Sequence, residues 1–369
     1  EYFFYLARSE VLLQTKPQSQ NDYLKGVATH GEFVMADLQK YFEAFHNNIM
    51  LSNDDEKAKL KEKRNLLIKN LKDGLKKRVD NGGSSHSIES FNQGSYAMHT
   101  GTKPLSEEYD IDVGIIFDNV QDDFDDPVKL KKIVKTAIES NFRTVSIRRP
   151  CVTVTYQKDG KPEYHVDLAV YVKADGVDSL QLAMGKEHST ADNMDWLVSD
   201  PKGLINEVNN RFEGDDRKQF KRTIRYLKRW RDKKFTNSNE APISIALTSA
   251  AYHWFEPSKS AGEYSDLRAT LDLVETMLGK FGFLSDRLNI ELPVTPHNNL
   301  LERMTDIQME TFKEKLSNFR DALKDALSEP SAEKACNLLN KQFGDEFPEG
   351  EDVEDNAKSA IKSTVSPVV

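Results

Sequence analysis

Cysteine, a net positive charge and long apolar runs are all missing or scarce in this sequence. Only two of the 369 residues are cysteine, Cys151 and Cys336, with neither CxxC nor metal-type spacing. That argues against a disulfide framework and for a reducing compartment. The eight histidines show no zinc-like pairing. The most apolar terminal stretch, Tyr2 to Ala7, is broken at Arg8. It falls far short of the ~20 residues a spanning helix needs, and it lacks the basic flank of a signal peptide. The expectation is a cytoplasmic protein without membrane association. Bases number 51 against 60 acids, a net charge of −9, which argues against a surface that grips nucleic acid throughout. Any basic function must be local, and no stable nucleic-acid partner is expected.

What is present describes a chain that folds in water. Hydrophobic residues make up 38% and charged residues 30%, with mean hydropathy −0.63. Because single cores stop growing at roughly 250 to 300 residues, 369 residues imply two lobes. From Ser52 the pattern is helical: Ser52 with Asp55 suggests a capping box, and Leu67, Leu71, Leu75 and Val79 form an i, i+4 stripe. Turn chemistry at Asn81-Gly82-Gly83 ends it. Alternating apolar positions follow at Ile111, Val113, Ile115 and Phe117, then at Val152, Val154 and Tyr156, then at Val166, Leu168, Val170 and Val172. The last two runs flank Lys158-Asp159-Gly160-Lys161-Pro162 and read as a β-hairpin. Beyond Pro201 helical spacing takes over at 203–213, 215–234, 242–255, 265–281 and 303–328. From Gly344 to Asn356 there are acids and no base, which reads as a solvated tail or linker. These signals divide the chain into residues 22–200, 201–343 and an acidic tail, 344–369.

The chemistry concentrates at Gln93-Gly94-Ser95 and Asp110-Ile111-Asp112. Alternation along a strand points Asp110 and Asp112 the same way, roughly 6 to 7 Å apart, while Ile111 and Val113 enter the core. Asp167, between Val166 and Leu168, repeats the arrangement on a strand able to neighbour the first. Three converging acids without a basic partner repel one another, and a divalent cation removes that penalty. Oxygen-only ligands select Mg²⁺ or Mn²⁺ over zinc. Two such ions suit phosphoryl transfer. Gly94 permits close backbone approach, and Ser95 adds a hydroxyl and, at an expected helix start, an N–H suited to a triphosphate. Each piece alone has a plain structural reading, solvated aspartates or a strand-edge cap; their order along the chain is what argues for one site.

Arg217 to Lys234 is a strongly basic run. Phe220, Ile224 and Leu227 give its buried stripe, and Lys221, Arg225 and Lys228 form a second face expected to be largely solvated. Lys228 is the residue expected to reach a triphosphate, with Ser244 as hydroxyl partner. Tyr252 and Trp254 read as core aromatics, one of which is able to stack a base.

At these residues the sequence resembles the nucleotidyltransferases of the DNA-polymerase-β superfamily, and more closely the bacterial CD-NTases, relatives of the cyclic GMP-AMP synthases and oligoadenylate synthases. The resemblance is carried by QGSYAMHTGTKPLSEEYDIDVGIIF, YHVDLAVYV, WLVSDPKGL, RYLKRWRD, APISIAL and LPVTPHNNLLERM, in family order over residues 52 to about 328. It implies an α+β fold: a polymerase-β-like nucleotidyltransferase core with a mixed β-sheet and a long spine helix, plus a helical second lobe. It further implies template-independent joining of nucleoside triphosphates, ATP and GTP among them, into cyclic di- or trinucleotides for anti-phage (CBASS-type) defence, with regulatory partner proteins from a defence operon. By motif, Asp110, Asp112 and Asp167 hold two Mg²⁺ or Mn²⁺ ions; Gln93, Gly94 and Ser95 touch donor phosphates; Lys228 and Ser244 complete the grip; Ser199 and Asp200 lie near a base. Two other readings stay open: a linear poly(A)- or tRNA-end-adding transferase, and a nucleotide-binding module without turnover.

Overall fold

The computed structural model describes residues 36–51, 55–105, 109–118, 126–140, 143–158, 161–173, 179–237, 239–282 and 285–351. The expected Ser52 capping box and the turn at Asp159-Gly160 lie outside them. In chain order, α1 (Gln39–Ile49) and the long α2 (Asp55–Asp80) precede β1 (Ile88–Asn92), the single-turn α3 (Gly94–Ala97) and β2 (Tyr109–Phe117). Then come α4 (Pro127–Ile138), β3 (Arg143–Ile147), β4 (Val152–Lys158), β5 (Lys161–Lys173), β6 (Leu180–Met184) and β7 (Asp195–Ser199). The remainder is helical apart from the short β8 (Lys259–Ser260) and β9 (Glu263–Tyr264): α5 (Pro201–Asn210), α6 (Gly214–Lys234), α7 (Ser244–Trp254), α8 (Asp266–Gly279), α9 (Asp306–Ser328) and α10 (Ala332–Phe343).

The sheet runs β1-β2-β5-β4-β3, with β6 and β7 extending from β5. It is mixed, since β2 and β5 are parallel while β4 and β5 form the expected antiparallel pair. One face of the sheet is apolar. Ile111, Val113, Val166 and Leu168 pack there with Leu60, Leu67, Leu71 and Leu75 of α2 and Leu130, Val134 and Ile138 of α4. Each such side chain removed from water contributes about 2 kcal/mol to holding helices on sheet. Val79 departs from the expected stripe: it is exposed, because the last turn of α2 runs past the edge of the apolar face. Helix α4 carries its own start signals, an Asp126 side chain accepting from the Val128 N–H and Pro127 in the first turn. The aspartate cap and the pre-set φ of proline both favour a helix beginning there.

The second apolar cluster draws on α5 to α10 and also on α1, whose Tyr41, Phe42, Phe45 and Ile49 are buried in it. The division at residue 200 therefore does not capture its packing. Nor is the acidic segment after Gly344 simply solvated. Phe347 packs against Phe42, Phe45 and Phe343, and the Asn48 amide donates to the Glu346 carbonyl at 2.8 Å. The Phe347 ring, with the Lys40–Glu351 pair at 3.0 Å and the Arg229–Glu346 pair at 3.3 Å, holds residues 344–351 against α1 and α6. Among the described residues, no helix is long and apolar enough to cross a membrane.

Candidate functional site

The site is built where β2 and β5 run side by side. Their parallel register sets Asp112 beside Asp167 and Asp110 beside His165. Because side chains alternate, these residues occupy the face opposite the apolar cluster. Oxygens of Asp110, Asp112 and Asp167 all lie within 4.8 Å of one another. The Thr153 hydroxyl donates to Asp167 Oδ1 at 2.6 Å, fixing one member of the trio from β4.

The electrostatic cost of this convergence is visible in the acids themselves. Removal from water, then Asp112 and Asp167, push the Asp110 carboxyl up to about 8, with Arg148 opposing. Asp112 is pushed up to about 6 by burial and then Asp167, while Lys228 pulls the other way. An oxygen-only set that repels itself is what a hard divalent cation relieves, so these residues fit Mg²⁺ or Mn²⁺.

The Gln93-Gly94-Ser95 loop rests directly on the acids. The Gln93 N–H donates to the Asp112 carbonyl at 3.1 Å. Gly94 has φ +64, and a Cβ there would fall 1.9 Å from Asp112 Oδ2. Only glycine allows this left-handed approach of backbone to carboxylate. The Tyr171 hydroxyl donates to Gln93 Oε1 at 3.0 Å, orienting the glutamine from β5.

A cavity of about 460 Å³ brings together Gln93, Gly94, Ser95, Asp110, Asp112, Ser199 and Asp200 from the sheet side and Lys228 and Ser244 from α6 and α7. Asp167 is not among its lining residues; it joins the site through Asp112. Asp200 also has a structural task, since its Oδ1 accepts from the Gly203 N–H at 2.7 Å and caps α5. Met98, Leu204, Ile205, Ile245 and Leu292 add an apolar wall, a setting suited to a flat base. Tyr252 and Trp254 are half-buried against the helical cluster and do not line this cavity.

The basic face of α6 differs from expectation. Lys221, Arg225, Lys228 and Arg229 are buried, not solvated. They bond to five carbonyls between Met98 and Lys103, in the segment after α3: Lys221 to Met98 at 2.6 Å, Arg225 to His99 at 2.6 Å and Gly101 at 3.2 Å, Lys228 to Thr100 at 3.1 Å, and Arg229 to Lys103 at 2.7 Å. Lys228 thus faces the cavity while tethered to Thr100. Burial and then Arg225 hold its ammonium down to about 7. The i, i+4, i+7 spacing showed the cations sharing a face; the carbonyls they meet lie some 120 residues earlier, where no local signal marks them.

Known proteins resemble this chain in sequence and in fold. Residues 88–171 match the family described as "Cyclic GMP-AMP synthase DncV-like, nucleotidyltransferase domain", and residues 217–355 match "Cyclic GMP-AMP synthase, C-terminal domain". A cyclic GMP-AMP synthase of Escherichia albertii is 28% identical over 196 residues, which span 50% of this chain and 40% of that protein. A cyclic AMP-AMP-AMP synthase of an Acinetobacter species is 24% identical over 291 residues, 75% of this chain and 77% of that protein. Among solved structures, the Vibrio cholerae DncV cyclic AMP-GMP synthase superposes with a TM-score of 0.67 at 17% identity, covering 85% of this chain and 97% of its own. The Bradyrhizobium diazoefficiens CD-NTase CdnG, solved with GTP, gives 0.67 at 17% identity over 84% of this chain and 96% of its own. At such identities the structures speak for the fold, and the matched domains for the lineage. With the acids of β2 and β5 meeting under a glycine loop in a polymerase-β-like fold, the chain belongs to the bacterial CD-NTase family of nucleotidyltransferases.

Proposed function

We propose that the protein is a template-independent nucleotidyltransferase that joins nucleoside triphosphates into a cyclic di- or trinucleotide, a signal in CBASS-type anti-phage defence. The observation that carries this is the meeting of Asp110, Asp112 and Asp167 within 4.8 Å beside the Gly94 loop, in a cavity that also holds Lys228 and Ser244. Sequence relatives are a cyclic GMP-AMP synthase and a cyclic AMP-AMP-AMP synthase, whose names describe products of this kind.

In this reading Asp110, Asp112 and Asp167 hold two divalent ions. Bound Mg²⁺ or Mn²⁺ supplies activation of the attacking hydroxyl and charge stabilisation at the leaving pyrophosphate. Gln93 and Ser95 contact the donor's phosphates, Gly94 keeps the backbone close to Asp112, and Lys228 with Ser244 grips the triphosphate from the other lobe. A 2′- or 3′-hydroxyl of the acceptor forms a new bond to the donor α-phosphorus as the bond to the bridging oxygen breaks. Pyrophosphate leaves with the electron pair, and the hydroxyl proton passes to water. A second transfer, after the linear product turns over in the site, closes the ring.

A linear RNA-extending transferase needs an exposed basic track. On α6 the cations that would form one are turned inward onto the carbonyls of residues 98–103. Incubating the protein with labelled NTPs and Mg²⁺ or Mn²⁺ should yield phosphatase-resistant products, read by mass spectrometry. Only linear, phosphatase-sensitive products, or tight salt-sensitive binding of tRNA, would favour the RNA reading instead.

A further inference from the structure

A small apolar cluster sits on the same face of the sheet as the acids. It comprises Ile116, Ala169, Tyr171 and Leu180, with Phe91 and Leu182 packed against it. The register explains its composition. Ile116 and Leu182 lie directly across from Tyr171 on the flanking strands, and Gly114 leaves room for the Phe91 ring, into which a Cβ would run. Tyr171 lies four residues beyond Asp167 on β5, so alternation keeps it on the acids' side, roughly 13 Å along the strand.

The phenol oxygen is the one polar side-chain atom of this cluster. Tyr171 is only 3% exposed, and a buried hydroxyl needs a partner. Burial holds its proton on, well above the ordinary phenol range, so the group is an O–H donor. It donates to Gln93 Oε1 at 3.0 Å. The Gln93 backbone N–H is itself spent on the Asp112 carbonyl at 3.1 Å. Main chain and amide oxygen are thus both fixed, and Gln93 lines the cavity beside Gly94, Ser95 and Asp112. Among the described residues no second hydrogen bond ties its side chain.

An amide has two unlike arms: the oxygen only accepts, and the NH2 only donates. With Oε1 turned to Tyr171, what Gln93 can offer a ligand is a pair of N–H groups. Donors alone suit an atom that has lone pairs and no proton, and an anionic phosphate oxygen gives the strongest bond of that kind. We propose that Tyr171 is a positioning residue for the donor triphosphate: its hydroxyl holds Oε1 so that the Gln93 Nε2–H groups face the phosphates. The apolar cluster fixes the ring that does this. The inference rests on the nucleotidyltransferase reading and adds to it how the loop tells a phosphate oxygen from a hydroxyl or an amine.

The test is calorimetric binding of α,β-methylene ATP and α,β-methylene GTP, with Mg²⁺, to the full chain. Tyr171→Phe keeps the ring and removes the hydroxyl; it should weaken binding about five-fold, the size of one hydrogen bond. Gln93→Ala should weaken it about ten-fold. Because Tyr171 acts through Gln93, adding Tyr171→Phe to Gln93→Ala should cost less than about two-fold more, a coupling that general structural damage does not produce. Gln93→Glu still accepts from Tyr171 but turns a negative oxygen to the phosphates, and should weaken binding at least ~10²-fold. In turnover the Tyr171→Phe loss should appear in the donor KM rather than in kcat. Wild-type affinity in Tyr171→Phe, additive losses in the double variant, a loss confined to kcat, or a Gln93→Glu protein that binds like the wild type overturns the inference. A wild type that binds neither analogue and forms no nucleotide product overturns the underlying reading as well, so the two failures are told apart.

Discussion

The acidic face of β2 and β5 and the basic face of α6 both border the cavity, and each gathers like charges, yet the chain satisfies only the second by itself. Lys221, Arg225, Lys228 and Arg229 meet five carbonyls between Met98 and Lys103. A carbonyl oxygen accepts a charge-assisted hydrogen bond without bringing a counter-charge, so Lys221, Arg225 and Lys228 are held by geometry while their field persists. Arg229 also has the Glu346 carboxylate at 3.3 Å and, among the described residues, keeps its Nε and Nη1 without a hydrogen-bond partner. The aspartates have Thr153 as donor to Asp167, while Arg148 and Lys228 act on Asp110 and Asp112 through space. The difference teaches that α6 is a structural element that fastens residues 98–103 to the helical lobe. The acid trio keeps its mutual repulsion, which the divalent ions of the proposed reaction would relieve.

The largest effect that tests this contrast is on turnover. Asp112→Asn should reduce product formation at least ~10³-fold, because an amide is a poor ligand for a hard cation. The same change should raise the metal-free melting temperature by removing a repelling charge; a lowered one would mean the acids are compensated within the protein after all. Next in size is Arg225→Met, which takes donors from the carbonyls of His99 and Gly101. Leaving those groups unpaired should cost about 3 kcal/mol in denaturant unfolding. Arg225→Lys should recover only part, since one ammonium replaces a two-pronged fork. If both variants unfold like the wild type, the cation ladder is not what joins the lobes.

The pH dependence of stability separates the two clusters by sign. Asp110 and Asp112 are raised from an ordinary 3.8 to about 8 and about 6. The folded protein thus keeps protons that the unfolded chain has released, and these groups lose stability as pH rises from about 4 towards 8. Lys221 and Lys228 are lowered from 10.5 to about 7, so their contribution grows as pH rises from about 7 towards 10.5. Adding Mg²⁺ should flatten the acid limb and leave the lysine limb in place, as thermal melts at several pH values will read. The smallest effect expected is at Asp200→Ala. Loss of its cap on the Gly203 N–H should destabilise by about 1 kcal/mol with turnover still measurable, which would sharpen the assignment of Asp200 to α5.

Legibility in the sequence followed the range of the interaction. The alternation around Asp110 and Asp112 showed that they share a face, and Gly94 was marked as a backbone approach before any partner was known. That Asp167 would sit beside Asp112, with His165 beside Asp110, needed the β2–β5 register. The strand pattern made that register possible without selecting it. The basic run is legible as a helix, but its burial is not, because its carbonyl partners are remote in sequence. Helix α1 and Phe347 were likewise silent: an amphipathic helix and a lone aromatic announce that they bury something, not where.

By itself the amino-acid order settled the local matters. These are the strand alternation that lines up the acids, the glycine at +64°, the helical lobe, and the motifs by which the family is known. The tertiary structure alone decided which like charges are quieted and which are left in tension. That outcome depends on carbonyls, hydroxyls and carboxylates brought within a few ångströms from distant parts of the chain, and electrostatic energy is set by separation in space and by exclusion of water.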